Sequence, residues 1–382
     1  DDETLTFSYT VTATDNNGAS ATDTITVTIT GTNDTPDFNE NSVQNGSVTD
    51  TSSSDSFSNS TIGTLTASDV DHNDSITYGV VDGDGDYGAL SVDPNTGVYS
   101  YDGKDNTINA LNSGTWSDTF TVTASDGTTS DSATVIITIH GANDNPTVSI
   151  NDDSLSFTED VSASAQDLTD SGSVTFDDVD TGDNVDIIAT YKDNISWNGV
   201  TLANEISGED SGKLTSGFHA SATDSTSDSI TWDYSATDVN LDFLAVDETI
   251  TLGFTITARD SHSATATDDV TITITGTNDD VDITGGTTSD SVTELADKYS
   301  ENGVLENDYL HSITGSIDIS DPDVNDSHTA TFTDHSASEN VTYLGDFDVD
   351  DDGDWSFSVE DEDLDYLDDD DDPLIQTYTV TI

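Results

Sequence analysis

Acidic residues recur at fixed places in this chain, and their spacing suits the binding of hard cations. Three D-x-D pairs follow short apolar-alternating segments: Asp69/Asp71, Asp178/Asp180 and Asp321/Asp323. Three G-x-N-D segments end another repeated unit and supply Asn33-Asp34, Asn143-Asp144 and Asn278-Asp279. Asp15, Asp126 and Asp260 sit in polar turns at a nearly constant distance ahead of those segments. Calcium takes about six to eight oxygens from carboxylates, amides and backbone carbonyls. Zinc and copper prefer His or Cys; Cys is absent, and the 7 His show no ligand spacing. Taken singly, a D-x-D reads as a solvated turn rather than a ligand pair, because Asp and Asn bond their own backbone. Recurrence in one register favours the cation. Asp348-x-Asp350-x-Asp352-Gly353 opens like an EF-hand loop. Its twelfth position is Val359 and its flanks are strand-like, so a calcium-binding turn and a plain hairpin turn both stand there. The run Asp368 to Asp372 reads as a solvated loop.

Other chemistry finds no footing. There is no G-x-S-x-G, no H-E-x-x-H and no phosphate-cradling loop, and no carboxylate pair for glycoside hydrolysis stands out among 79 acids. The chain is read as a non-enzyme. Trp116, Trp197, Trp232 and Trp355 could stack on sugars, but sandwich cores commonly bury a Trp, and the core reading is preferred. With only 5 basic residues and a formal charge of −74, nucleic acid and anionic membrane are poor partners. No apolar run approaches the roughly 20 residues of a membrane span. Missing Cys means that something other than disulfides staples the domains. Missing Met leaves no initiator, and the stretch reads as a fragment whose export signal lies elsewhere.

The elements that must position these acids are strands. In Thr24–Ile29, Ile and Val take one face and Thr the other. The hydrophobic share is only 32%, against roughly 45–50% for globular chains, but it is concentrated in such runs. The units Phe7–Asp34, Asp118–Pro146 and Leu252–Asp280 each read strand, turn, strand, G-x-N-D, and a fourth begins at Gln376. The predicted fold is all-β: tandem Ig-like Greek-key β-sandwiches in an elongated array. Residues 1–36 are the C-terminal part of one repeat, 37–147 a second, 148–280 a third with an insert-like stretch over 186–245, and 281–382 a fourth, C-terminally truncated.

YLGDFDVDDDGDWSFSV with LIQTYTVTI resembles the VCBS pattern, and LSVDPNTGVYSYDG with FTVTASDG and GANDNP is similar to bacterial cadherin-like repeats of giant RTX-type adhesins. The RTX nonapeptide itself is absent. The resemblance implies calcium at module junctions, held by a linker Asn-Asp, a D-x-D, a strand-ending Asp and acids of the preceding module. Carried over by position, junction one uses Glu3, Asn33, Asp34, Asp69, Asp71 and Asp126. Junction two uses Glu40, Asn143, Asp144, Asp178, Asp180 and Asp260. Junction three uses Glu159, Asp247, Glu248, Asn278, Asp279, Asp321 and Asp323. Two departures stand out: the linker's leading Asp is Gly31, Gly141 or Gly276, and Ala110-Leu111-Asn112 replaces the acidic L-D-R-E of the second module. The implied function is a calcium-stiffened extender of a secreted or bacterial cell-surface adhesin, monomeric and partnered by its neighbouring repeats, with glycan or protein ligands held by other domains. A carbohydrate- or partner-binding module and an accessory region of a secreted hydrolase are the alternatives.

Overall fold

The computed structural model describes the chain except residues 1–2, 54, 59, 72–73, 162–163, 199, 202–205, 207, 226–227, 297, 300–304, 307–308, 338–342 and 368–372. The Asp368–Asp372 run therefore lies outside the described residues.

Threonine alternating with aliphatic residues produces the recurring hairpin. In the first, β1 (Thr4–Thr14) pairs antiparallel with β2 (Ser20–Thr30), so that Tyr9 faces Ile25 and Leu5 faces Ile29. β-branched residues suit such a pleated surface. Asp15 closes the turn by accepting the backbone N–H groups of Asn17 and Ala19 at 3.0 and 2.8 Å.

The second module builds a sandwich around the same hairpin. One sheet runs β3 (Gly46–Thr49), β6 (Ser130–Gly141), β5 (Gly114–Ser125), β4 (Thr77–Val81). The facing sheet joins Ser60–Thr64, Val98–Gly103 and Gly88–Val92. Between them Leu65, Tyr99, Phe120, Val122, Val135, Ile137 and Ile139 are buried.

The third module repeats the plan. β7 (Ser154–Thr158), β10 (Thr265–Thr275), β9 (Thr249–Arg259) and β8 (Val185–Tyr191) lie side by side. They face Thr147–Ile150, Gln166–Asp177, Ser229–Val239 and Phe218–His219. In both modules a short strand pairs parallel with the last one, β3 with β6 and β7 with β10. The stretch 186–245 looks like an insert in sequence, yet much of it is core. The helix Gly208–Ser216 buries Leu214, and the strand Ser229–Val239 buries Trp232 and Tyr234. Trp232 and Trp355 are buried, while Trp116 packs half-buried on the second core.

In the last module Asp282–Gly286, Leu310–Ser320, Asp354–Glu360 and Asp346–Val349 form one sheet, facing β11 (Thr331–Ala337) paired with β12 (Gln376–Thr381). Among the described residues no strand pair crosses from one module to the next.

Candidate cation sites at the junctions

The linker and the D-x-D loop meet at each junction by the same hydrogen bonds, and at junctions one and two the hairpin turn of the following module joins them. The linker Asp donates its backbone N–H to the second D-x-D carboxylate: Asp34 to Asp71 at 2.7 Å, Asp144 to Asp180 at 2.6 Å, Asp279 to Asp323 at 2.9 Å. Within each loop the second Asp donates its N–H to the first, at 2.9, 3.0 and 2.9 Å. The linker Asn amide nitrogen donates to the turn carboxylate of the following module, Asn33 to Asp126 at 3.1 Å and Asn143 to Asp260 at 2.8 Å. That contact fixes the amide's orientation, because the reverse would set its oxygen against a carboxylate. The amide oxygens of Asn33 and Asn143 then point inward with no donor.

Backbone hydrogen bonds also span the second and third junctions beside the linker. Thr181 donates its N–H to the Ala110 carbonyl at 3.1 Å, and Val324 to the Phe243 carbonyl at 3.5 Å. Gly141 and Gly276 explain the missing leading Asp of the linker. A Cβ at Gly141 would stand 2.5 Å from the Asn112 carbonyl oxygen, and one at Gly276 would stand 2.3 Å from that of Leu244. Backbone oxygens occupy the space a side chain would need.

Most of the expected residues converge here, together with several that the sequence reading passed over. Glu159 follows β7, and its N–H bonds the Thr275 carbonyl; it lies with Asp242 and Asp279 so that their ligand oxygens fall within 4.8 Å of one another. Asp50 follows β3 in the same way, bonding the His140 carbonyl. It sits beside Asp144, whose carboxyl feels the charges of Asp50 and Asp55. Asp50 thus holds at junction two the place that Glu159 holds at junction three, whereas Glu40 is exposed and is not among the gathered acids. Each D-x-D also has a third acid, Asp74, Asp183 or Asp326, giving D-x-D-x-x-D. Asp74 groups with Asp69 and Asp126, and Asp183 with Asp178 and Asp180. Glu3 and Glu248 stand at one register position, each accepting the N–H of the linker Gly at its backbone carbonyl, at 2.9 Å. Glu248 is spoken for by Trp197, Asn198 and Asn325, the last reaching across junction three at 2.8 Å. Asp247 is exposed. A cation held by this cluster would feel the loss of a ligand charge, so Asp50→Asn is expected to weaken its binding roughly tenfold. Glu40→Gln should leave it unchanged. Titration calorimetry of both variants separates the two residues.

The electrostatics are those of anions lacking a counter-charge. Asp144 lacks a donor to either carboxylate oxygen, and Asp69, Glu159, Asp178, Asp180, Asp279 and Asp323 each lack one to a buried oxygen. Burial, with the Asp50 and Asp180 charges, pushes Asp144 up to about 6. Burial and neighbouring acids do the same to Asp178 and to Asp279, each to about 6. Glu159, Asp50 and Asp323 are raised by burial as well. Asp126 moves the other way, because the N–H groups of Thr129 and Thr128 favour its charged form. Asp183 is also held down: burial raises it, but bonds from His262, Ser261 and Asn112 prevail. A carboxyl raised in the fold stabilises it below its unfolded value of about 3.9 and loses that contribution as pH rises through the folded value. In chelator, the Tm is therefore expected to fall between about pH 4 and 6, from the unfolded value up to the 6 of these three groups. Calorimetry showing a flat or rising Tm there would contradict the gathering of these acids.

The D-x-D-x-D-G segment is arranged differently. Asp350 accepts the N–H groups of Asp352 and Asp354 at 3.1 and 2.9 Å and caps a hairpin turn, while Asp348 and Asp352 are exposed. It does the work that Asp15 does in β1–β2.

No protein-family model and no curated protein matches the chain. Among solved structures it is similar to protocadherin gamma B2 extracellular cadherin domains 1–5, at 16% identity and TM-score 0.39, covering 99% of this chain and 72% of that one. It is also similar to Drosophila N-cadherin EC1-4, at 17% identity and TM-score 0.26, covering 99% and 82%. An endo-fucoidan hydrolase of glycoside hydrolase family 107 matches at 16% identity and TM-score 0.24, covering 71% of this chain and 34% of that one. The all-β tandem sandwich rests on the chain's own strand pairing.

Proposed function

We propose that this chain is a calcium-stiffened extender: tandem sandwiches whose junctions are clamped by calcium, serving a secreted or cell-surface bacterial adhesin of the VCBS/cadherin-like kind. The observation that carries the reading is the set of buried, donorless side-chain oxygens. Among the described residues, all but that of Ser42 lie at the junctions. A buried carboxylate without a partner is costly, and a hard cation is the partner that oxygen ligands alone accept. The donors come from two modules and the linker between them, so an ion there links what the strand pairing leaves separate. Binding converts repulsion among the acids into attraction toward a shared charge, which fixes the angle between modules. Acids gather at all three junctions: Asp69, Asp74 and Asp126 at the first, Asp178, Asp180 and Asp183 at the second, and Glu159, Asp242 and Asp279 at the third. The module boundaries follow the linkers, at 36, 147 and 280.

Small-angle scattering in calcium and then in chelator tests the extender. A longer, stiffer particle in calcium is expected; identical scattering in both buffers would sink the proposal.

A further inference from the structure

One face of the second module departs from the rest of the chain in its charge. The sheet β3–β6–β5–β4 turns Phe120, Val122, Val135 and Ile137 into the core, so the alternate residues of its strands point outward. No Asp, Glu, Lys or Arg stands at any of those outward places. Nearly all are Thr or Ser. Across the middle of the face Val81 pairs with Thr121, Thr121 with Thr134, and Thr119 with Ile136. Val81 and Ile136 are 58% and 39% exposed.

Strand propensity alone does not clear a face of charge in this chain. The third module builds the same sheet in the same register, with Phe254 and Val270 in the places of Phe120 and Val135. There Asp186 opposes Arg259, and Lys192 reaches Asp269 at 2.8 Å. The matching places of the second module hold Thr77 opposite Ser125, and Thr134. Asp177 and Asp233 in the third module, and Asp318 and Asp354 in the last, are exposed on strands as well. Loss of charged residues around a central patch is the compositional mark of a protein interface.

We propose that this face pairs with the same face of a second copy, sheet on sheet. The charge of −74 selects the occupant. Copies that approach elsewhere bring acids against acids, and like charges opposed across an interface are costly; these two faces meet without any. Val81, Ile136 and the threonine methyl groups supply the apolar contact. Thr and Ser hydroxyls both donate and accept, so they can satisfy one another. The same patch serves both copies, so the contact closes at two chains. Two strands of 12 residues with shorter ones beside them make a face of roughly 600 Å². Two such faces bury roughly 1,200 Å², the lower end for a specific interface, so pairing is weak and follows concentration. A neutral polysaccharide is the other ligand an uncharged face admits, but no Trp, Tyr or Phe stands at an outward place to stack on a sugar ring. Calcium takes no part in this contact.

Sedimentation equilibrium of the full chain over a range of concentrations tests this, in calcium with about 1 M sodium chloride, where the Debye length is about 3 Å. The mass is expected to rise from one chain to two and to stop there. Thr134→Asp sets a charge in the middle of both faces and should raise the dissociation constant at least about tenfold. The third module already carries Asp269 at that register place, so the fold accepts the change, and the Tm checks it. Thr134→Val should pair like the parent. So should Thr267→Asp, which is exposed on the corresponding hairpin of the third module and bears the same loss of strand propensity. A parent that stays a single chain at every concentration overturns the proposal, as does a Thr134→Asp protein that pairs like the parent, or growth beyond two chains. A single-chain parent that binds insoluble cellulose, with binding lost in Thr134→Asp, would give the face to a neutral glycan in place of a second copy.

Discussion

Chelating calcium is expected to lower the melting temperature of the two whole modules by roughly 10 °C. One ion held at a hundred times its Kd adds about 2.7 kcal/mol to a fold that alone binds it. For domains of this size, 1 kcal/mol moves the Tm by about 4–8 °C or somewhat less. The second module touches two junctions and the third touches two, so each gains from more than one ion. The effect is large because the ion-free state is penalised from within. Asp144, Asp178 and Asp279 lie in surroundings that push their carboxyls up to about 6, and neutral pH forces charge upon them. Magnesium at equal concentration should do less, since it demands octahedral geometry and sheds water reluctantly. Scanning calorimetry with calcium, magnesium and chelator reads all three. An unchanged Tm on chelation would remove calcium from the account of this protein.

Asp144→Asn should change sign with calcium. Asp144 is 2% exposed, and neither of its side-chain oxygens accepts a hydrogen bond. Its backbone N–H still bonds Asp180, and Asn keeps that contact. In chelator the substitution removes a charge that Asp50, Asp180, Asp178 and Asp55 all oppose, and it brings two N–H donors to those acids. Stability should rise by on the order of 1–3 kcal/mol, the usual cost of an unsatisfied buried group. In calcium the same change deletes a ligand charge, and stability should fall by a similar amount. Denaturant titrations of both proteins in both buffers give the four values. Destabilisation in both conditions would recast Asp144 as a structural residue; stabilisation in both would exclude it as a ligand.

Glu40 and Asp50 show where sequence reasoning stopped. Both are acids near the start of the second module, and spacing alone offers no choice between them. The parallel pairing of β3 with β6 makes the choice: it carries Asp50 to the end of the module that faces the linker, where its carboxylate accepts the N–H of Ala142 at 3.4 Å. Parallel partners are remote in the chain, so no local pattern announces them. Asp242 was hidden in the same way, inside a stretch that looked inserted. The third acids, Asp74, Asp183 and Asp326, were legible at constant spacing and were passed over. Asp350 was legible too, as one of the two readings its turn allowed.

By itself the sequence determined the hairpins, the D-x-D loops, the Asn-Asp linkers and their common register. These depend on period-two alternation and on turn chemistry, which act over a few residues. The convergence of these pieces was decided by tertiary structure. Sandwich closure brings a preceding module's Glu159 or Asp50 against a linker Asp, and carbonyls at Gly141 and Gly276 take the room of a further carboxylate. The acids gathered there lose water as the modules pack, and dehydration turns ordinary turn aspartates into a demand for a cation.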